Sequence, residues 1–221
     1  MNLAPLAAAT LALLLGTLSH DAHAQCGMGE VDWYAAEAIS VSSADDLLRE
    51  GENAEAAAVL MRMWPRLREA VPVHGSIPII AEGVRLMAVA LVRADGDVGS
   101  SHGWSSRTAA ERAANVAWGV KRLRMLTASD PGNTLAKTNL GEALARAPET
   151  REEGKRLLEE LEASHQLFLA EGYAALALVR ADAGDTAGAL AASEQCERRA
   201  SRVHCVVLGG RVSPVETASL D

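Results

Sequence analysis

Aromatic residues make up only 3% of the 221-residue chain: one Phe, two Tyr and four Trp. Hydrophobic residues nevertheless reach 49%, so the apolar mass is Ala, Leu and Val. That combination argues against a β-sandwich, which draws on Tyr, Phe, Trp, Thr and Ile, and for closely packed helices. No run of Lys or Arg is dense enough to follow a phosphate backbone, and the formal charge is −8, so nucleic acid is not an expected partner. No apolar stretch is long enough to cross a bilayer: the run Leu6–Leu18 has 13 residues against the roughly 20 required. There are only three cysteines, Cys26, Cys196 and Cys205.

The short apolar run followed by Ala22-His23-Ala24 has the small-x-small pattern of a secretory signal over residues 1–24, although no Lys or Arg precedes it. Export to a periplasmic or extracellular space is the expectation, with a mature chain beginning near Gln25. In such a compartment an oxidised cysteine pair is the default. Cys196 and Cys205 are the candidate disulfide. On one unbroken helix they would sit on opposite faces and about 13 Å apart, so a bond requires the helix to end between them, near Ala200 to Arg202. Cys26 would attach the chain to a membrane only if lipidated, and His23-Ala24-Gln25 does not fit lipoprotein processing.

The remaining chain repeats itself. "ALVRADG" at 90–96 returns as "ALVRADAGD" at 177–185. In the second copy, Tyr173 to Asp182 has helical periodicity, Gly184 suits a left-handed turn, and a second helix begins at Thr186 with Asp185 placed to cap it. Ala44–Asn53 with Ala54–Leu60, and Leu135–Ala147 with Arg151–Leu161, have the same helix-turn-helix form. A small residue stands in each first helix (Ala44, Ala90, Gly141, Ala177) and in each second helix (Ala56, Gly119, Gly154, Ala189). Such sites let helix axes approach to the short end of the 8–10 Å range. Thr108 with Glu111 and Thr150 with Glu153 read as capping boxes, and Ser42 with Asp45 as a weaker one.

The segments "NLGEALA" (139–145), "YAALALVRADAGDTAGAL" (173–190), "LLREGENAEAAAVL" (47–60) and "SDPGN" (129–133) give the chain a form that resembles the tetratricopeptide-repeat (TPR) family over residues 37–200. The repeats are degenerate, with Leu, Met or Ala at most positions where that family carries aromatics. The resemblance implies an all-α fold, a short α-solenoid of about four TPR-like helix-turn-helix units. The domain plan is then a signal peptide at 1–24, a lead segment at 25–36, the repeat domain at 37–205 and a tail at 206–221. It also implies a noncatalytic interaction module or scaffold that takes a protein or peptide on its concave face, with Val41, Leu48, Leu135, Thr138, Glu142 and Arg146 as groove positions. The Lys and Asn clamp by which some family members hold acidic C-termini is absent, because the matching positions are Val41, Asp45, Asn139 and Ala175.

One copy is interrupted. A Gly/Ser-rich insertion at 95–107 separates "ALVRADG" from its second helix and carries His102 and Trp104. These could contact a partner, or Trp104 could fold back over a helix end. An enzyme or small-ligand protein with its site on this loop, using Ser101, His102 and Ser105, is the alternative function. The loop lacks a G-x-S-x-G elbow and the ligands of a calcium loop, and His204 with Cys196 and Cys205 makes an incomplete metal set. No cofactor and no metal are expected. Arg93 and Arg180, in the doubled words, are expected to be solvated or paired with nearby Asp.

Overall fold

The computed structural model describes residues 36–69, 78–200 and 205. The signal segment, the lead segment up to residue 35, Cys26 and the tail therefore lie outside the described residues. Eight helices are described: α1 (36–50), α2 (Asn53–Met63), α3 (Pro78–Arg93), α4 (Ala109–Ser129), α5 (Thr134–Arg146), α6 (Arg151–Ala163), α7 (Ala170–Asp182) and α8 (Thr186–Glu197). The fold is all-α; the only β-type pairing among the described residues is the isolated bridge Ser101–Trp104.

Local chemistry starts several of these helices. Thr108 and Glu111 form a reciprocal capping box at α4, Asn133 accepts from the Ala136 amide at α5, and Asp185 accepts from the Gly188 amide at α8. Pro78 occupies the first position of α3, where its missing N–H costs nothing. The expected box at Thr150 does not form. Its hydroxyl donates instead to the Leu144 carbonyl at 2.8 Å, tying α6 back to the end of α5, while Glu153 pairs with Arg124 of α4 at 2.7 Å. Ser42 caps nothing because α1 is already under way at residue 36, and α7 begins three residues before Tyr173.

The doubled words close in different places. In the second copy Gly184 takes the left-handed position (φ +80°) and the Asp185 amide bonds the Arg180 carbonyl. In the first, Asp95 takes it (φ +50°) and the Gly96 amide bonds the Leu91 carbonyl, two residues earlier relative to the shared Arg. Both closures are Schellman-type; Asp tolerates the left-handed region better than most side chains.

From α2 onward each helix packs on the next, and α3 also packs on α5, and α5 on α7. Buried residues form three successive clusters. One spans α1 to α4 through Leu48, Leu60, Met87, Leu91 and Trp104; one joins α3, α4 and α5 through Val92, Leu123 and Leu144; one fills α5 to α8 through Leu158, Leu176 and Cys196. The small residues lie at close crossings. A Cβ on Gly119 would stand 2.9 Å from the Ala88 carbonyl oxygen, and one on Gly154 would stand 2.5 Å from the Ala145 nitrogen and 2.9 Å from the Gly141 oxygen.

Cys196 and Cys205 are bonded, with Cα atoms 5.9 Å apart. The helix ends at Glu197, slightly before the expected point, and the amides of Arg199 and Ala200 turn back onto the Cys196 carbonyl. A helix continued to position 205 would hold the two cysteines about 13 Å apart, so an end at Glu197 is what the bridge requires.

These crossings and the disulfide set measurable stability effects. Gly154→Ala gains about 1 kcal/mol of helix propensity but forces a methyl into backbone atoms that cannot rotate away, so thermal unfolding is expected to show a net loss of roughly 1–3 kcal/mol. Gly132→Ala, whose Cβ would meet only the Asp130 carboxylate at 3.4 Å, should change stability by less than about 0.5 kcal/mol. Alkylation of the unreduced folded chain should leave Cys196 and Cys205 unlabelled, and replacing both by Ser should cost about 2–3 kcal/mol, read from the unfolding midpoint.

Candidate functional site

α3 reads "PIIAEGVRLMAVALVR", an apolar helix with two arginines eight residues apart, hence near one face. Arg85 and Arg93 are both withdrawn from solvent, at 9% and 4% side-chain exposure, so each needs partners. Arg85 donates from Nη1 to Asn139 Oδ1 on α5 at 2.8 Å and from Nε to Glu82 Oε2 at 2.8 Å, and lies 3.8 Å from Asp45 of α1. Arg93 donates from Nε and Nη2 to the two oxygens of Glu142 on α5, each at 2.8 Å, and from Nη1 to Glu171 of α7 at 3.4 Å. Arg146, one turn beyond Glu142, adds a contact at 3.3 Å. Arg85 thus links α1, α3 and α5, and Arg93 links α3, α5 and α7.

Burial by itself would raise the Glu142 carboxyl. The charge and hydrogen bonds of Arg93, with Arg146 behind them, outweigh it and hold the pKa below the ordinary glutamate value. Burial likewise disfavours the Arg93 cation, but Glu142 and Glu171 overcome it and raise its pKa.

Above this network opens a cleft of about 260 Å³. α1 lines it with Asp45, Leu48 and Arg49; α3 with Glu82, Arg85, Leu86, Val89 and Arg93; α5 with Leu135 and Asn139; and the start of α7 with Leu169 and Glu171. A wider groove of about 670 Å³ runs along α4 past Val116, Val120 and Met125 to Glu149. It is lined mainly by small and apolar side chains and gathers none of the sequence-derived groove positions.

Of those positions, Leu48 and Leu135 meet in the cleft. Glu142 is buried at 3% exposure and acts through Arg93, and Arg146 supports it from a half-buried place. Thr138 is buried, its hydroxyl donating to the Thr134 carbonyl. Val41 is half-buried against the first cluster. Arg85, Glu82 and Glu171 were not among the sequence-derived positions; the one signal for the first two was three charged residues, Glu82, Arg85 and Arg93, in an otherwise apolar helix. Arg93 is neither solvated nor paired with Asp as expected, and Arg180 reaches Glu162 and Glu159 of α6 instead of a nearby Asp. Nearby sequence was the wrong place to look, because both side chains cross to other helices.

The insertion is fastened to α4. Ser101 and Trp104 exchange backbone hydrogen bonds around His102 and Gly103, whose positive φ values meet the requirement of a type I′ turn. The Asn115 amide donates to the carbonyls of Gly96 and Ser105, each at 2.9 Å, and the Ser106 hydroxyl to Asp97 at 2.8 Å. Trp104 is only 3% exposed and meets Trp118 edge-on at 5.0 Å between ring centroids. Arg68 lies over Trp104, and Arg122 over Trp118. His102 is exposed on the turn. Among the described residues no group of three or more His, Cys, Asp or Glu is placed to hold a metal ion.

The chain matches no protein-family model, no curated protein and no solved structure.

The Arg93–Glu142 pair is directly testable. Arg93→Met leaves a buried carboxylate short of its main partner and should cost about 3–5 kcal/mol in denaturant unfolding, whereas Arg93→Met with Glu142→Leu should cost less than either change alone. Because the Glu142 pKa is depressed in the fold, its stabilisation is complete above the unfolded value of about 4.3 and is lost progressively as pH falls from there through the lower folded value. Glu142→Gln should accordingly flatten the acid limb of the stability profile.

Proposed function

We propose that this chain is an exported, TPR-like array of four helix pairs, α1–α2 to α7–α8, that receives a protein or peptide on its first-helix face and performs no catalysis. One observation carries the reading. Every residue that lines the cleft belongs to α1, α3 or α5 or to the start of α7, the first members of the four pairs; none comes from α2, α4, α6 or α8. In a stacked array the first helices share one surface, and that surface is available to an extended partner. The recurrent small residues at helix crossings support the same arrangement.

Export is supported by the apolar run with its small-x-small ending at 22–24 and by a disulfide, a bond that persists in oxidising compartments. No described helix is long and apolar enough to cross a membrane.

A photo-crosslinking amino acid at exposed Leu135, and separately at Arg156 on the exposed side of α6, tests the reading in the envelope or secreted fraction. Discrete protein adducts are expected from position 135 and not from 156. Equal labelling at both would remove the first-helix face as the interface.

A further inference from the structure

The charges of the cleft decide what kind of partner it accepts. Its lining carries three anions, Asp45, Glu82 and Glu171, and three cations, Arg49, Arg85 and Arg93. Each is already engaged: Asp45 with Arg49 and Arg85, Glu82 with Arg85, and Glu171 with Arg93, which also holds Glu142. Arg49, 68% exposed at the rim, holds its carboxylates only through surface pairs. At the floor, a charged ligand group would have to compete for Arg85 or Arg93 with carboxylates they already hold, within a partly desolvated surface.

The uncharged part of the cleft is Asn139 and five aliphatic residues, of which Leu48, Leu86 and Val89 are buried at its base and Leu135 and Leu169 stand at its mouth. Leu135 is 37% exposed, and Phe168, next to Leu169 in the chain, is 64% exposed. At about 260 Å³ the cleft falls just below the roughly 300–1,000 Å³ of small-molecule sites. It suits one inserted apolar side chain from a longer ligand better than a whole cofactor.

We infer that the occupant is an extended peptide segment without charged side chains, anchored by one apolar side chain seated among Leu48, Val89, Leu135 and Leu169. This rests on the proposed first-helix interface and adds its specificity: the internally paired floor excludes acidic and basic segments, and the aliphatic walls supply the attraction.

Selecting peptides from an unbiased displayed library on the intact oxidised chain, then measuring their affinities by calorimetry, tests it. Enriched sequences should share an apolar residue flanked by uncharged ones. Affinity should change less than about twofold between about 50 and 500 mM NaCl, because no net charge is exchanged. Leu135→Glu should weaken binding by about tenfold or more and Leu135→Ala by less, with unfolding midpoints measured for both variants. If the selected peptides carry Asp, Glu, Lys or Arg at the bound stretch, weaken about tenfold with salt and still depend on Leu135, the uncharged specificity is overturned while the interface stands. If no peptide is enriched, or binding is indifferent to Leu135→Glu in a folded protein, the first-helix interface falls and this inference with it.

Discussion

Two arginines on an apolar helix constrain the described structure more than any other feature. Arg85 and Arg93 are withdrawn from water, and a buried guanidinium is tolerated only where carboxylates or carbonyl oxygens reach it. α5 must therefore bring Asn139 and Glu142 opposite them, and α7 must bring Glu171. Desolvation offsets much of the Coulomb attraction in such pairs, so their value lies less in net stability than in register. An axial shift of α5 by one turn, about 5.4 Å, would separate both contacts at once.

The small residues answer to this arrangement at the other side of each pair. Gly119 against Ala88 brings α4 close to α3, and Gly154 against Ala145 and Gly141 brings α6 close to α5. Close crossings bury aliphatic side chains such as Val92, Leu144 and Leu158 without aromatic filling, which is how a chain with 3% aromatics sustains a continuous core. Two of the few aromatics meet at the insertion. Trp104 and Trp118 stack edge-on where the insertion folds onto α4, with Arg68 and Arg122 on their faces. The loop that breaks the regular pattern is thus anchored by an aromatic pair, while Trp64 and Tyr173 pack singly elsewhere in the core. Its exposed candidate contact, His102, sits on a turn whose backbone is fixed at both ends.

The cleft is a product of these constraints. Its floor is the ion-paired line from Asp45 through Arg85 and Arg93 to Glu171, and its walls are the aliphatic residues that flank that line on the same helices. Matched charges and an open apolar rim give it a chemistry that neither a basic nor an acidic groove would have.

By itself, the sequence determined the helical character and several helix ends, though not the starts of α1, α3 and α7. Apolar periodicity, Thr108 with Glu111, Asp185 and Gly184 are local signals, readable because capping and turn formation involve residues a few positions apart. It also marked the close crossings, since a glycine inside a helix costs propensity and implies a packing reason. The disulfide was legible as a condition, a helix ending between Cys196 and Cys205, and the structure supplies that ending at Glu197. Thr150 shows the limit of local reading: its hydroxyl prefers the Leu144 carbonyl, which only the α5–α6 turn brings within reach. Arg93 and Arg180 show it again, since identical words acquire different partners, Glu142 and Glu171 for one and Glu162 and Glu159 for the other. Which carboxylate meets which guanidinium, and therefore what the cleft can accept, was decided only by the packing of helices distant in sequence.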